Sequence, residues 1–112
     1  GESNIVDGTM IEDCLIEFAC HRFQCVDKGF MHNEKVDVVI RPEDIRLVEA
    51  EEGMIEGEVQ SVTFKGVHYE MLVRSNGIRW MIHSTVMEPE GTKVGIHIKP
   101  SDIHIMKKAE GT

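Results

Sequence analysis

The chain has 112 residues, 41% hydrophobic and 29% charged, which is the composition of one globular domain and excludes a disordered tail or a fibrous repeat. Its formal net charge of −8 creates a field that repels phosphate backbones and disfavours nucleic acid as a partner. No apolar run approaches the roughly 20 residues of a membrane-spanning helix, and the first residues lack a signal-peptide pattern, so we expect a soluble cytoplasmic domain without membrane insertion.

The stretch 10–26 fits two kinds of secondary structure. Apolar residues recur at helical spacing from Met10 to Ala19, but alternate residues from Cys14 to Cys20 fit strands equally well. We predict two short strands here, because the corresponding stretch later in the chain predicts a hairpin and duplicated halves should agree.

Three cysteines lie in or beside these strands: Cys14, Cys20 and Cys25. An odd number leaves at least one unpaired, and the spacing is not that of a CxxC motif, so reduced thiols are expected. A zinc site that adds His21 is the alternative. Structural zinc sites usually have paired ligands two to four residues apart, which favours core or edge thiols instead.

A strand that ends at a proline follows. Three β-branched residues at alternate positions form one face of a half-buried strand: Val36, Val38 and Ile40. Pro42 stops this strand and holds Arg41 in extended geometry. We predict that Asp44 bonds nearby backbone N–H groups to fix the turn, which lets Ile45 return to the core.

Two segments connect this strand to the second half of the chain. The first, Glu49–Gly53, is rich in carboxylates and is predicted to be an acidic loop. The second, 54–65, is predicted to be a bulged strand that ends at Gly66, because its apolar residues do not keep a strict period of two.

The clearest element is a hairpin from Val67 to His83, whose arms meet at Asn76-Gly77, the preferred pair for a type I′ turn. A two-residue loop pairs these residues on the core face: Val73 with Trp80, and Met71 with Ile82. It pairs these on the other face: Leu72 with Met81, Glu70 with His83, and Arg74 with Arg79. A three-residue loop would shift the register.

The opposed pair Arg74 and Arg79 is mildly destabilising unless an acidic group approaches it. We therefore predict that this edge is an interaction surface. The acidic loop supplies the other candidate contacts: Glu49, Glu51 and Glu52.

The strand-and-proline element occurs twice. After a predicted turn at 89–92, the segment 94–105 aligns with 36–47 and repeats its alternating apolar residues: Val94, Ile96 and Ile98. The second corner consists of the residues that match Arg41, Pro42, Asp44 and Ile45, namely Lys99, Pro100, Asp102 and Ile103. The chain is therefore predicted to be one all-β domain, 1–112, made of two related halves at about 1–50 and 54–108.

Four segments resemble a known family: Val39-Ile-Arg-Pro-Glu-Asp-Ile45, 60–71 with Trp80, 102–108, and 1–5. They are similar to the C-terminal regulatory (TOBE) domain of ABC-importer ATPase subunits, most closely those for spermidine and putrescine. The resemblance implies an OB-fold type of small barrel or sandwich built from short antiparallel strands.

The resemblance also implies a parent subunit that dimerises, uses ATP and Mg²⁺, and works with membrane partners at the inner face of the cell membrane to import polyamines. This domain would serve subunit contacts or regulation. The chain contains no GxxxxGK[ST] phosphate loop, so we expect no nucleotide-binding domain, no catalytic residues and no cofactor in it.

Two further functions have weaker support from the sequence. Polyamine sensing could use carboxylates and a π face, with Glu43 and Tyr69 as the candidate contacts and Asp44, Asp102 and Trp80 already occupied structurally. Binding of single-stranded nucleic acid suits an OB-type barrel but needs a basic groove and exposed aromatics, whereas this chain is acidic and 5% aromatic.

Overall fold

The computed structural model describes residues 2–109, and every regular element in this range longer than a single turn is a β-strand. The ten strands are β1 (Asn4–Glu12), β2 (Leu15–Phe18), β3 (His21–Gln24), β4 (Glu34–Ile40), β5 (Ile45–Val48), β6 (Ile55–Phe64), β7 (Tyr69–Ser75), β8 (Ile78–Ser84), β9 (Lys93–Ile98) and β10 (His104–Lys107). Short 3₁₀ turns occupy Pro42–Asp44, Ala50–Glu52 and Pro100–Asp102. No described helix is long and apolar enough to span a bilayer.

The strands form two five-stranded antiparallel sheets with matching plans. The first sheet has the order β10-β4-β1-β2-β3 and the second has the order β5-β9-β6-β7-β8. In each sheet, four strands come from one half of the chain and the outermost strand comes from the other half. The all-β prediction with two related halves is confirmed, and the halves exchange their last strands.

The stretch 10–26 forms the end of β1 and the hairpin β2–β3, so the strand prediction is confirmed. The hairpin turns at Ala19 and Cys20, which have φ of 52° and 60°. A left-handed backbone is unusual for these residue types, and this is why no turn signal was visible in the sequence.

The two proline corners end their strands as predicted. Val36, Val38 and Ile40 are fully buried, and Ile45 and Ile103 return to the core at 3% and 1% exposure. The predicted role of Asp44 differs from the structure. Its carboxylate accepts a hydrogen bond from Arg41 Nε at 3.0 Å, while the turn is closed by the backbone N–H of Asp44, which donates to the carbonyl of Arg41.

The predicted register of the second hairpin is confirmed in full. β7 pairs with β8 so that Val73 faces Trp80 and Met71 faces Ile82, and all four side chains are fully buried. The predicted bulge in β6 is also present, where the pairing with β7 shifts between Val59 and Ser61.

Two asparagine side chains connect the two sheets. Asn4 of β1 donates from Nδ2 to the carbonyl of Met81 at 2.9 Å and accepts the Met81 N–H at 2.7 Å, which caps the edge strand β8. Asn76 donates from Nδ2 to the carbonyl of Ala19 at 2.9 Å, which ties the two hairpin turns together. The buried hydrophobic side chains of both sheets form one core cluster.

Candidate interaction surface

A row of charged residues crosses the outer face of the second sheet. The strand registers place Lys93 of β9 opposite Glu58 of β6, Glu58 opposite Arg74 of β7, and Arg74 opposite Arg79 of β8. All four are exposed, because alternation turns them away from the core. The predicted opposition of Arg74 and Arg79 is therefore confirmed, and a carboxylate lies on one side of the pair only.

A cleft of about 270 Å³ opens beside the arginine pair and is lined by Gln60, Arg74, Gly77 and Arg79. We call it the arginine cleft. Gln60 donates from Nε2 to Glu58 Oε2 at 3.5 Å, so the Glu58 carboxylate is held next to the cleft. Within residues 2–109, neither arginine has a carboxylate oxygen within the 4.0 Å of an ion pair.

The predicted acidic loop is a 3₁₀ turn, Ala50–Glu52, that packs on the same sheet face. Gly95 of β9 points outward, and a Cβ atom there would collide with the Glu49 carbonyl and with Gly53. The backbone on both sides of this turn therefore lies against β9, and the glutamates in and before the turn are exposed: Glu49, Glu51 and Glu52. The structure separates the predicted contacts into two patches of opposite charge, with β6 between them.

The two corner motifs differ in their charged contacts. Arg41 and Asp44 form an ion pair at 3.0 Å, and the carboxylate raises the pKa of Arg41. Lys99 and Asp102 occupy the equivalent places without an ion pair among the described residues, and Pro100 is half-buried where Pro42 is buried. Both corners act as structural turns, and only the first carries a salt bridge.

The candidate polyamine contacts do not share a cavity. Glu43 lines a cavity of about 380 Å³ with His68, His83, Ser84 and Thr85. The ring of Tyr69 instead lies 5.1 Å from the ring of Phe64. Of the two predicted contacts, Glu43 lines this cavity and Tyr69 does not.

Sequence reasoning did not assign a role to the histidines at this cavity. The rings of His68 and His83 stack with their centroids 4.3 Å apart, and His83 Nε2 lies 3.1 Å from Glu70 Oε1. The opposition of Glu70 and His83 follows from the hairpin register, so their contact could be predicted. His68 lies beyond the strand, and no pattern in the sequence indicated its position.

The three cysteines are free thiols at two separate places. Cys14 and Cys25 lie at the open end of the first hairpin, where the Cys25 N–H donates to the Cys14 carbonyl at 3.0 Å. Cys20 lies in the turn at the other end. Burial is the main cause that raises the pKa of the Cys25 thiol. Residues 2–109 contain no group of three or more potential metal ligands.

A lysine after the last strand, Lys108, forms ion pairs with two strands of the first sheet. Lys108 Nζ lies 2.6 Å from Asp7 Oδ1 of β1 and 2.6 Å from Asp37 Oδ1 of β4. These contacts raise the pKa of Lys108, and the lysine lowers the pKa of Asp7. No sequence pattern indicated this contact, because Lys108 lies outside the aligned repeat segments.

Comparison with known proteins gives close relatives along nearly the whole chain. Each of three is a spermidine/putrescine import ATP-binding protein PotA. The protein from Desulfitobacterium hafniense (strain Y51) is 64% identical over 111 residues, which is 99% of this chain and 32% of the relative. Those from Clostridium novyi (strain NT) and Clostridioides difficile (strain 630) are 60% and 56% identical over 108 residues, 96% of this chain and 31% of each relative. The chain thus spans about a third of the length of these relatives.

A solved structure has the same fold. The cytoplasmic molybdate-binding protein ModG, in a form with molybdate bound, superposes with a TM-score of 0.70 over 94% of this chain and 96% of that chain, at 15% identity. The TOBE domain family matches residues 38–106, which include both proline corners, the acidic turn and the arginine pair. The chain belongs to the TOBE domain family.

Proposed function

We propose that this chain is the non-catalytic regulatory and interaction domain of the ATP-binding subunit of an ABC importer, and that the importer carries spermidine and putrescine. One observation carries the proposal: the chain is 64% identical, over 99% of its length, to part of a spermidine/putrescine import ATP-binding protein. The domain acts as one unit whose two halves, about 1–50 and 54–108, share the core.

The rest of the parent subunit supplies the chemistry in this proposal. ATP and Mg²⁺ bind in a separate ATPase domain, a second copy of the subunit completes a dimer, and membrane subunits place the complex at the cytoplasmic face of the membrane. This domain contributes a rigid β-scaffold. Its contacts come from the two patches on the outer face of the second sheet, Arg74 with Arg79 and Glu49 with Glu51 and Glu52.

A chimera tests the proposal. In the Desulfitobacterium hafniense relative, the matching third is either deleted or replaced by this chain, and spermidine uptake is measured in cells that express the membrane subunits. We expect the deletion to lose uptake or its regulation and the chimera to restore it. Uptake and regulation that are unchanged by the deletion would contradict the proposal.

Variants of the chimera locate the contact surface. Charge reversal at Glu51 and Glu52, or at Arg74, should reduce uptake while ATP binding to the intact subunit is kept. Lys35→Glu is the matched control, since Lys35 is exposed on the first sheet and, within residues 2–109, its Nζ donates to the neutral Thr9 hydroxyl and forms no ion pair. Equal loss in the control would indicate a general effect of charge.

Polyamine sensing is a second candidate, because Glu43 lines a cavity next to the hydrogen-bonded pair of His83 and Glu70. A carboxylate there can bind an ammonium group. Calorimetric titration with spermidine at low salt should give saturable heat that Glu43→Gln removes and Tyr69→Phe, which alters a ring outside the cavity lining, does not. Weak heats that salt abolishes would exclude a specific site.

A further inference from the structure

The arginine cleft contains a charge imbalance that the matching hairpin of the first half does not have. Counted from the turns, Arg74 and Arg79 of β7–β8 occupy the same places as Glu17 and Arg22 of β2–β3. In the first hairpin the pair has opposite charges, with Arg22 Nε 3.9 Å from Glu17 Oε1. In the second hairpin an arginine replaces the glutamate, so two cations face each other.

The geometry brings these two side chains close together. Ser75 and Ile78 flank the two-residue turn, so the next pair, Arg74 and Arg79, is the non-hydrogen-bonded kind, in which Cβ atoms approach to about 4.5–5.5 Å. Like charges at this separation destabilise a sheet. The repulsion is relieved if an anion lies between the guanidinium groups.

The protein provides no such anion within the described residues. The one carboxylate in register is Glu58, which lies on the far side of Arg74 from Arg79 and accepts a hydrogen bond from Gln60. On the other side of Arg79, β8 is the edge strand of the sheet, and no further strand of residues 2–109 pairs with it. Arg79 therefore has no acidic neighbour across a strand.

We infer that the arginine cleft binds an oxyanion of the phosphate class. A space of about 270 Å³ is lined by Gln60, Arg74, Gly77 and Arg79, so two planar guanidinium groups with several N–H donors each border the same cleft. A dianion with tetrahedral oxygens can accept hydrogen bonds from both arginines and neutralise both charges. A single carboxylate would neutralise one.

Free inorganic phosphate and the phosphates of a nucleotide are both sources of this chemistry. The net charge of −8 opposes the binding of an anion, whereas the two arginines attract it locally. Salt screens this local attraction, so binding to the cleft should weaken as ionic strength rises. The inference depends on the arginine geometry alone and not on the transport role, so it can fail while the proposed function holds, and the reverse is also possible.

The test is an amide chemical-shift titration of the intact chain with inorganic phosphate at low ionic strength, against sodium chloride at matched ionic strength. We expect saturable shifts at Gly77, Gln60 and Arg79 that chloride does not reproduce. Parallel titrations with ATP and with adenosine separate the two sources. Binding of phosphate indicates a free-anion site, and arginine-dependent binding of ATP alone indicates a nucleotide site; both support the inference.

Variants decide whether the pair is responsible. Arg79→Gln and Arg74→Glu should each weaken binding by about tenfold or more, and Arg74→Glu restores the internal charge pair of the first hairpin. Arg46→Gln is the matched control, because Arg46 is exposed on β5 at the other edge of the same sheet. Circular dichroism verifies that each variant is folded.

Three outcomes would overturn the inference. Shifts that do not saturate, or that chloride reproduces, indicate only diffuse screening of charge. Equal weakening by Arg46→Gln indicates attraction by the general field of the protein. A change in sedimentation on mutation of the arginines, without any binding of phosphate or ATP, would assign the pair to a carboxylate of a second copy of the chain.

Discussion

The two hairpins β2–β3 and β7–β8 occupy equivalent places in their sheets but are built from different residues. Both turn through two residues with positive φ, Ala19 and Cys20 at 52° and 60°, and Asn76 and Gly77 at 51° and 78°. Asparagine and glycine tolerate this backbone, whereas alanine and cysteine are strained in it. The same turn is therefore favoured by local sequence in one half and imposed by its surroundings in the other.

The surroundings of the first turn identify what imposes it. Asn76 of the second turn donates a hydrogen bond to the Ala19 carbonyl, and Phe18 stacks on Phe23 with ring centroids 4.1 Å apart. Phe18 also meets Trp80 of the second hairpin edge-on, at 6.1 Å. The second hairpin thus stabilises the first through its turn and its core, and the following variants test this dependence.

The largest effect should come from the two equivalent aromatic positions, Phe23 on β3 and Trp80 on β8, which are 2% and 0% exposed. Either residue changed to alanine should lower the free energy of unfolding by about 3–5 kcal/mol, through lost burial and the cavity left behind. Urea denaturation measures this. Ile5→Ala, at a side chain 64% exposed, is the control and should change stability by less than about 0.5 kcal/mol. If Phe23→Ala or Trp80→Ala lowers the free energy of unfolding as little as Ile5→Ala does, the hairpin that carries the changed residue packs independently of the core.

The next effect concerns the link between the turns. Asn76→Ala should cost about 2 kcal/mol, because it removes the bond to the Ala19 carbonyl and places alanine in a left-handed backbone. Asn76→Gly keeps the backbone relaxed and should cost about 1 kcal/mol from the lost bond. Equal costs of the two variants, measured by thermal or urea unfolding, would show that backbone strain is not part of the effect.

A smaller and reciprocal effect is expected from exchanging the turn residues. Cys20→Gly should stabilise the protein by about 1 kcal/mol because it relieves the strained φ of 60°, and Cys20 is exposed. Gly77→Ala should destabilise it by about the same amount, since no atom lies within 4 Å of the added Cβ and only the backbone is affected. If Cys20→Gly leaves the free energy of unfolding unchanged, the first turn carries no backbone strain, and the two hairpin turns do not differ in conformational energy.

These two hairpins also explain how much the sequence could predict. The Asn76-Gly77 pair fixed the register of β7–β8 and, through it, the opposition of Arg74 and Arg79. The first hairpin could be inferred only by analogy, because its turn residues carry no local preference for a left-handed backbone. The repeat predicted two related halves but not their exchanged strands, since alternation reports which face is buried and not which strand is the neighbour.

The site was less predictable than the fold. Register could place residues across a sheet, but the acidic turn reaches the outer face of β9 through the close approach of Gly95 to Gly53, which no periodicity shows. The contacts of Lys108 with Asp7 and Asp37 likewise join segments at opposite ends of the chain. Sequence patterns describe local geometry, so contacts between distant loops had to come from the structure.

The smallest effect should appear only at alkaline pH and again separates the hairpins. Cys25 directly follows β3 and, counted from the turn, occupies the place that Ile82 has on β8; burial raises the pKa of its thiol above the ordinary 9.0. Because the unfolded chain ionises this thiol first, the free energy of unfolding should begin to fall as pH rises through 9.0 and continue to fall up to the folded pKa. Cys25→Val, which makes the first hairpin apolar at this position as the second is, should remove that part of the slope. Cys20→Ser, at an exposed thiol, should keep it, and identical pH profiles for the Cys25 variant and the parent chain would show that the thiol is not desolvated.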